Sequence, residues 1–311
     1  MYHGIMNVYK EPGYTSHDVV ARLRGILKQK KIGHTGTLDP AAEGVLPVCL
    51  GMGTRLCDML TDRTKTYEAV MLLGMTTDTQ DTTGEVLEDR HHAAMGLEEA
   101  AVTEAVLGYK GDYDQIPPMY SALKIDEKKL YELARAGKEV ERQARQVQIL
   151  EIRVDKVVLP RVWMTVTCSK GTYIRTLCHD IGGKLGCGGC MEHLTRTRVD
   201  RFDIKDSLRL DEIERIRDEG GLDTCILPVE TALEGYAGLK VLPEADAFLY
   251  NGNPCFKGQL DAGDGCLDGL EDGLRFRMYD SKGHFVGVYE YQDSRHWWKP
   301  WKMFLAAPEH T

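Results

Sequence analysis

Residues 32–47 of this chain read Ile-Gly-His-Thr-Gly-Thr-Leu-Asp-Pro-Ala-Ala-Glu-Gly-Val-Leu-Pro, in which Asp39 follows the imidazole of His34 by five residues and Glu43 lies at the far end of the loop. Three glycines, Gly33, Gly36 and Gly44, let the backbone turn sharply or approach a ligand. Pro40 biases Asp39 away from helical geometry. A loop that displays a carboxylate and an imidazole suits a nucleophile with a substrate-ordering partner. It also suits a plain turn, because Asp-Pro opens turns and a lone histidine is often only packed or solvated. The residue types leave both readings open.

A second cluster, Cys187-Gly-Gly-Cys190 with His193, has the spacing of half a metal site, and Cys178 and His179 lie nearby. No second Cys-x-x-Cys or spaced histidine pair completes it, so no metal is expected. The nine cysteines are scattered and odd in number, which fits free thiols better than a disulfide framework.

The elements that must carry these residues follow from periodicity. Residues 4–9 read as a strand. Thr15 or Ser16 can cap a helix whose apolar residues Val19, Val20, Leu23, Ile26 and Leu27 fall at helical spacing. Residues 32–44 read as a glycine-rich loop and 45–50 as a buried strand. Tyr67, Ala69, Met71 and Leu73 alternate as in a half-buried strand. Residues 76–90 read as a loop with a hairpin, 96–107 as a helix, and 111–145 as an insertion with an amphipathic helix near 128–136. Residues 145–158 and 162–168 read as antiparallel strands. Residues 173–185 read as a helix ended by Gly186. Near Tyr236 the chain becomes glycine-rich with short strands, including 274–279 and 285–291. The expected organisation is therefore two units, 1–235 and a small β-rich unit, 236–311.

The net charge of −9 argues against a nucleic-acid partner if taken alone. Its distribution argues otherwise. Residues 124–198 carry 15 Lys and Arg against 9 Asp and Glu, and residues 1–40 carry 6 against 3. Residues 211–275 carry 5 against 15. A basic groove on an acidic body satisfies these counts, as does ordinary surface variation. The N-terminus lacks the apolar block of a signal peptide, and no apolar run reaches the ~18 residues of a membrane span. A cytoplasmic location is expected.

Gly33-His-Thr-Gly-Thr-Leu-Asp-Pro40 followed by Gly44-Val-Leu-Pro47 resembles the catalytic loop of the TruB-type tRNA pseudouridine synthases. Further segments resemble that family in the same order: Tyr14-Thr-Ser-His-Asp18, preceded by Lys10 and Gly13; Lys65-Thr-Tyr67; Gln115-Ile-Pro-Pro-Met-Tyr-Ser-Ala-Leu-Lys124; Ser169-Lys-Gly-Thr-Tyr-Ile-Arg-Thr176; and Leu194-Thr-Arg196. Two departures stand out. Glu11 separates Lys10 from Pro12 where the family has Lys-Pro, and Glu141 replaces a proline in Glu139-Val-Glu-Arg142.

The resemblance implies an α/β (α+β) fold: a mixed, largely antiparallel sheet with helices, a thumb-like insertion and a small C-terminal β-barrel PUA-like domain. It implies isomerisation of uridine to pseudouridine in the T-loop of tRNA, at the position numbered 55, with no cofactor and no metal. Asp39 takes the central catalytic role, attacking C1′ or C6 of the nucleotide or assisting a glycal route. Arg175 is the implied ion-pair partner, and Tyr67 lies against the base. His34, Tyr173, Leu194, Arg196 and Lys10 are implied substrate contacts. Lys128, Lys129, Arg142 and Arg145 are placed to grip phosphate. Arg295-His-Trp-Trp-Lys-Pro-Trp-Lys302 suits the acceptor end of tRNA, with two of the three tryptophans expected in the core. A monomer that binds the T-arm and the acceptor end, with no membrane, is the expectation. A guide-RNA-dependent synthase, a non-catalytic RNA-binding protein on the same scaffold and a zinc-binding regulator are the rivals.

Overall fold

The computed structural model describes residues 1–121, 123–125, 128–138, 140–261, 267 and 269–305. Ala122 and Glu139 of the motifs above, and residues 306–311 of the second unit, lie outside them.

Strand β1 (Gly4–Lys10) leads into helix α1 (Ser16–Leu27). Thr15 caps this helix in a reciprocal box with Asp18, and the five expected apolar residues are its buried face. The glycine-rich segment is partly regular. Strand β2 (Ile32–His34) pairs antiparallel with β3 (Glu43–Leu50), leaving residues 35–42 as the irregular loop. A short helix, α2 (Cys57–Thr61), precedes β4 (Lys65–Leu73), whose burial alternates as its sequence does. The hairpin expected over 76–90 is β5 (Met75–Thr77) with β6 (Val86–Asp89). The helix expected over 96–107 is α4 (Glu99–Leu107), preceded by a separate short helix, α3 (His91–Met95).

Strand β7 (Gly111–Gln115) is an edge strand of the main sheet, so the insertion expected from residue 111 leaves the sheet only after Gln115. It holds the two-residue strands β8 (Lys124–Ile125) and β9 (Lys128–Lys129) and helix α5 (Leu130–Arg135). The chain rejoins the sheet at β10 (Arg145–Val158), which pairs with β7 on one side and β11 (Arg161–Cys168) on the other. Helix α6 (Ile174–Lys184), strand β12 (Gly189–Val199), the short β13 (Phe202–Asp203), helix α7 (Leu210–Asp218) and β14 (Ile226–Leu227) complete this part.

The ten-stranded sheet has the order β14-β1-β3-β12-β4-β11-β10-β7, with β2 on β3 and β13 on β12. All its pairings are antiparallel except β3 with β12, where Thr195 faces Glu43 and Arg196 faces Gly44. That one parallel contact joins the strand leaving the glycine-rich loop to a strand about 150 residues later in the chain.

Strand β3 is buried on both faces, which explains its continuous apolar run. Leu46, Val48 and Leu50 pack under α1 and α7 with Val19, Leu23 and Ile213. Val45 and Cys49 face the other way, into a cluster that includes Leu56, Val229, Leu233, Val288 and Phe304. Val288 and Phe304 come from the C-terminal part, whose sheet runs β15 (Ala237–Lys240), β17 (Arg275–Tyr279), β18 (Phe285–Gln292), β19 (Trp297–Met303), β16 (Cys255–Phe256), with helix α8 (Asp246–Tyr250) beside it. The two sheets thus share a core beneath β3, and the small sheet is a support of the strand that anchors the loop. Of the three tryptophans, only Trp298 is fully buried. Trp297 and Trp301 stay half-buried, with Arg295 over the first at 4.8 Å and Arg275 over the second at 3.7 Å, which corrects the expectation of two in the core. No described helix is long and apolar enough to cross a membrane.

Candidate active site

Three elements converge on Asp39. The loop that carries it is closed by a turn, in which the Ala42 N–H donates to the Asp39 carbonyl at 3.1 Å. Helix α1 holds the loop from one side: Ser16 Oγ accepts the Leu38 N–H at 2.9 Å and donates to the Leu38 carbonyl at 3.4 Å. Strand β1 ends in Lys10, whose ammonium donates to the carbonyls of Glu11 and Pro40, both at 3.2 Å, and of Ala42. Lys10 has no exposed surface. Burial lowers its pKa to about 8, and the nearby Asp39 charge pulls the other way. Its contacts in this structure hold the loop that bears Asp39.

Arg175 stands on the first turn of α6, 5% exposed, and meets Asp39 with two parallel contacts: Nε to Oδ2 at 2.9 Å and Nη2 to Oδ1 at 3.1 Å. Its remaining donors go to the Tyr120 carbonyl at 2.9 Å and the Thr79 carbonyl at 3.0 Å, and Nη1 lies 3.9 Å from the Asp81 carboxylate. This is the fork geometry that fixes a carboxylate in plane as well as in place. The Asp39 side chain keeps 36% of its surface open, while Arg175 behind it is closed off. Burial pushes the Asp39 carboxyl above its ordinary value and Asp81 adds to that, while Arg175 and Lys10 pull it down.

Asp81 did not emerge from the sequence reading. It sits in the β5–β6 hairpin, 8% exposed, accepting from the Thr83 N–H at 2.9 Å and the Thr79 hydroxyl at 2.8 Å. The signal was Thr79-x-Asp81-x-Thr83, a spacing that folds hydroxyls and amides back onto one carboxylate. Gln115 opens the Gln115–Lys124 segment. Its side-chain amide brackets Tyr173, accepting that residue's N–H at 2.7 Å and donating to its carbonyl at 2.9 Å, and so sets where α6 begins.

Tyr67 is 8% exposed on β4, facing Arg196 across the β4–β12 pair. Burial pushes its phenol up, with Arg196 opposing and the Asp39 charge adding to the rise. Tyr67, Leu194, Ile174 and the loop residues Leu38 and Ala42 belong to one buried cluster, so the phenol and the apolar Leu194 lie with the loop that bears Asp39. Tyr173, half-buried, also feels the charges of Arg175 and Asp39.

Arg196 was expected to contact substrate. It is 2% exposed, and its guanidinium donates to the Val45 carbonyl at 2.7 Å, the Gly36 carbonyl at 3.4 Å and the Thr37 carbonyl at 3.5 Å. It ties the loop to β12, and its charge acts on the Tyr67 phenol across the strand pair. Gly44 makes this possible. Its φ is +106°, and a Cβ there would lie 2.3 Å from the Arg196 carbonyl oxygen. Gly44→Ala should therefore cost about 2 kcal/mol or more in stability and displace the loop. A denaturant midpoint and a turnover rate both equal to wild type would show that the close approach is not required.

His34 closes the site on the side of α1, half-buried, its Nδ1 accepting the Gly36 N–H at 3.4 Å. Arg142 donates to the Pro117 carbonyl at 3.1 Å, at the base of the insertion, and Arg145 is exposed at the start of β10. The Cys187 thiol donates to the Gly188 carbonyl at 3.2 Å, Cys190 is buried, and His193 turns outward to Glu43 at 3.2 Å. The three do not converge. No group of three or more His, Cys, Asp or Glu among the described residues could hold a metal ion.

What converges instead is one oriented carboxylate, a buried phenol and an apolar wall. Such a site suits covalent or electrostatic work on a neutral ring.

Comparison with known proteins fits this geometry. Residues 24–174 match the model of the TruB family pseudouridylate synthase N-terminal domain, and residues 175–234 match that of the tRNA pseudouridylate synthase B C-terminal domain. The chain is 50% identical to the tRNA pseudouridine synthase B of Lachnoclostridium phytofermentans over 97% of its length and 100% of that protein's. It is 41% identical to the one of Geobacter sulfurreducens over 88% of this chain and 89% of that one. Among solved structures, a Cbf5–Nop10–Gar1 complex contains a chain similar to this one with a TM-score of 0.70 at 27% identity, covering 97% of this chain and 85% of that one. An H/ACA ribonucleoprotein bound to a substrate RNA contains a chain of the same fold, with a TM-score of 0.71 at 24% identity over 98% and 86%.

Proposed function

The chain belongs to the TruB family of pseudouridylate synthases, and from that membership we propose that it isomerises uridine to pseudouridine in the T-loop of tRNA. The observation that carries the proposal is the two-pronged pairing of Asp39 with Arg175 beside Tyr67. The reaction breaks the C1′–N1 bond, turns the uracil and joins C5 to C1′; the proton on C5 is then lost and the freed N1 carries one. Atoms and electrons balance within the nucleotide, so no redox partner or group donor enters. Asp39 acts as nucleophile, Arg175 keeps its carboxylate ionised and in plane, and Tyr67 and Leu194 confine the turning ring. The target base leaves its stack to reach the pocket, at a cost of a few kcal/mol. His34 occupies the space it vacates.

In this reading residues 1–235 form the catalytic unit and 236–311 a PUA-like unit that reaches the acceptor end. Arg142 and Arg145 meet phosphates of the T-arm. Arg275 over Trp301 and Arg295 over Trp297 give the small sheet cations paired with flat rings, a surface suited to RNA. The protein works as a cytoplasmic monomer.

The direct test is incubation of the purified protein with unmodified tRNA transcript, without cofactor, and mapping of pseudouridine. Its appearance at a single T-loop uridine is expected; none at any position overturns the reading. Binding should fall steeply with salt, because each neutralised phosphate releases condensed counterions. Replacing Arg142 and Arg145 together should make the salt slope shallower by about one to two while leaving the rate at saturating RNA nearly unchanged. An unchanged slope would remove both residues from the phosphate contact.

A further inference from the structure

His17 makes a ring contact with His34. It lies on the first turn of α1, exposed, with its ring edge-on to that of His34: the centroids are 5.2 Å apart and the planes cross at 82°. The residue before it, Ser16, is the one that grips Leu38. Helix α1 therefore touches the loop at two points, once at His34 and once beside Asp39. On the loop side, the Gly36 N–H points at Nδ1 of His34, which leaves the ring proton on Nε2 in the neutral form. Burial, with the charges of His17 and Arg196 adding to it, holds the His34 imidazole below its ordinary value, so the neutral ring is favoured. His34 is thus fixed by a backbone amide on one edge and by a T-shaped contact with a second imidazole.

We propose that His17 is a positioning residue for His34: it braces the ring edge-on, so that His34 presents a rigid flat face to the RNA loop from which the target base is withdrawn. The proposal rests on the assignment of the chain to base-flipping chemistry on RNA. A ring that fills a vacated stack must offer its face, and a loosely held side chain would lose rotamer freedom on each encounter. An edge-to-face ring contact is the geometry that pre-orders it, because the positive edge of one ring meets the negative face of the other. Bracing of this kind acts on binding and on extrusion of the base, before the glycosidic bond breaks. It leaves the reaction of the bound nucleotide unchanged.

The test is a double-mutant cycle in the full-length protein with His17→Ala, His34→Ala and both together, plus His17→Phe. Two quantities are measured: affinity for a T-arm hairpin, and the pseudouridine rate at saturating and subsaturating RNA. His17→Ala is expected to weaken affinity and raise KM by about fivefold, the scale of one lost aromatic contact, with the saturating rate within twofold of wild type. The double variant should bind no more weakly than His34→Ala alone, and His17→Phe should restore most of the loss, because it keeps an aromatic edge. Additive losses in the double variant, an affinity within twofold of wild type for His17→Ala, or a defect confined to the saturating rate would each overturn the proposal. If the wild-type protein makes no pseudouridine, the assignment of function fails, while the binding cycle on the hairpin still reads the His17–His34 coupling on its own.

Discussion

Asp39→Asn is expected to abolish isomerisation, by on the order of a thousandfold or more, while tRNA binding stays within a few-fold of wild type. Asparagine keeps the shape of the side chain and one oxygen for Arg175. It cannot form the bond or carry the negative charge that the reaction requires. The loop itself should survive, because the hydrogen bonds of Lys10, Ser16 and Arg196 go to backbone groups on either side of residue 39 and not to its carboxylate. Single-turnover measurement with saturating transcript separates the two effects. A rate within tenfold of wild type would remove Asp39 from the central role, and a loss of binding equal to the loss of rate would make it a structural residue.

The second large effect is expected for Arg175→Lys, about a hundredfold in the saturating rate. Lysine keeps the charge but offers one compact ammonium where the guanidinium makes two parallel contacts to Asp39 and also serves the carbonyls of Tyr120 and Thr79. The pH dependence gives a second readout. Burial raises the Asp39 pKa and Arg175 opposes that rise, so a weaker partner lets it climb further. The nucleophile is the ionised form, and a carboxylate with a raised pKa is lost as pH falls through that value. The acid limb of the variant should therefore lie at higher pH than that of wild type, measured between about pH 5 and 8. An acid limb that does not move would mean that Arg175 does not control the ionisation of Asp39, whatever its effect on rate.

Much of the molecule is readable from local pattern. The helical spacing from Val19 to Leu27, the alternation from Tyr67 to Leu73 and the continuous apolar run after Gly44 each fix an element, because burial of one face, or of both, follows the period of the backbone. Asp39 was visible only as a candidate: a carboxylate held between glycines and a proline is a local arrangement that suits a plain turn as well, and the resemblance decided between the two. Its partner Arg175, 136 residues away, came from a resemblance, since nothing in its own neighbourhood marks it.

Tertiary structure decided what each cation does. Lys10 and Arg196 share a residue type and a motif context with substrate-binding cations, yet both are buried with their donors on loop carbonyls. Asp81 reaches the site because the hairpin expected over residues 76–90 folds against the start of α6, a docking that its own sequence does not specify. His17 meets His34 because Ser16 pins its helix to the loop. Sequence spacing specifies which side chains share a face of one element, and that information ends at the element's edge. Whether a charged group faces water, a substrate or a neighbouring carbonyl depends on which strands become adjacent. Here that choice is the parallel docking of β3 on β12, a contact settled by the burial of the whole sheet.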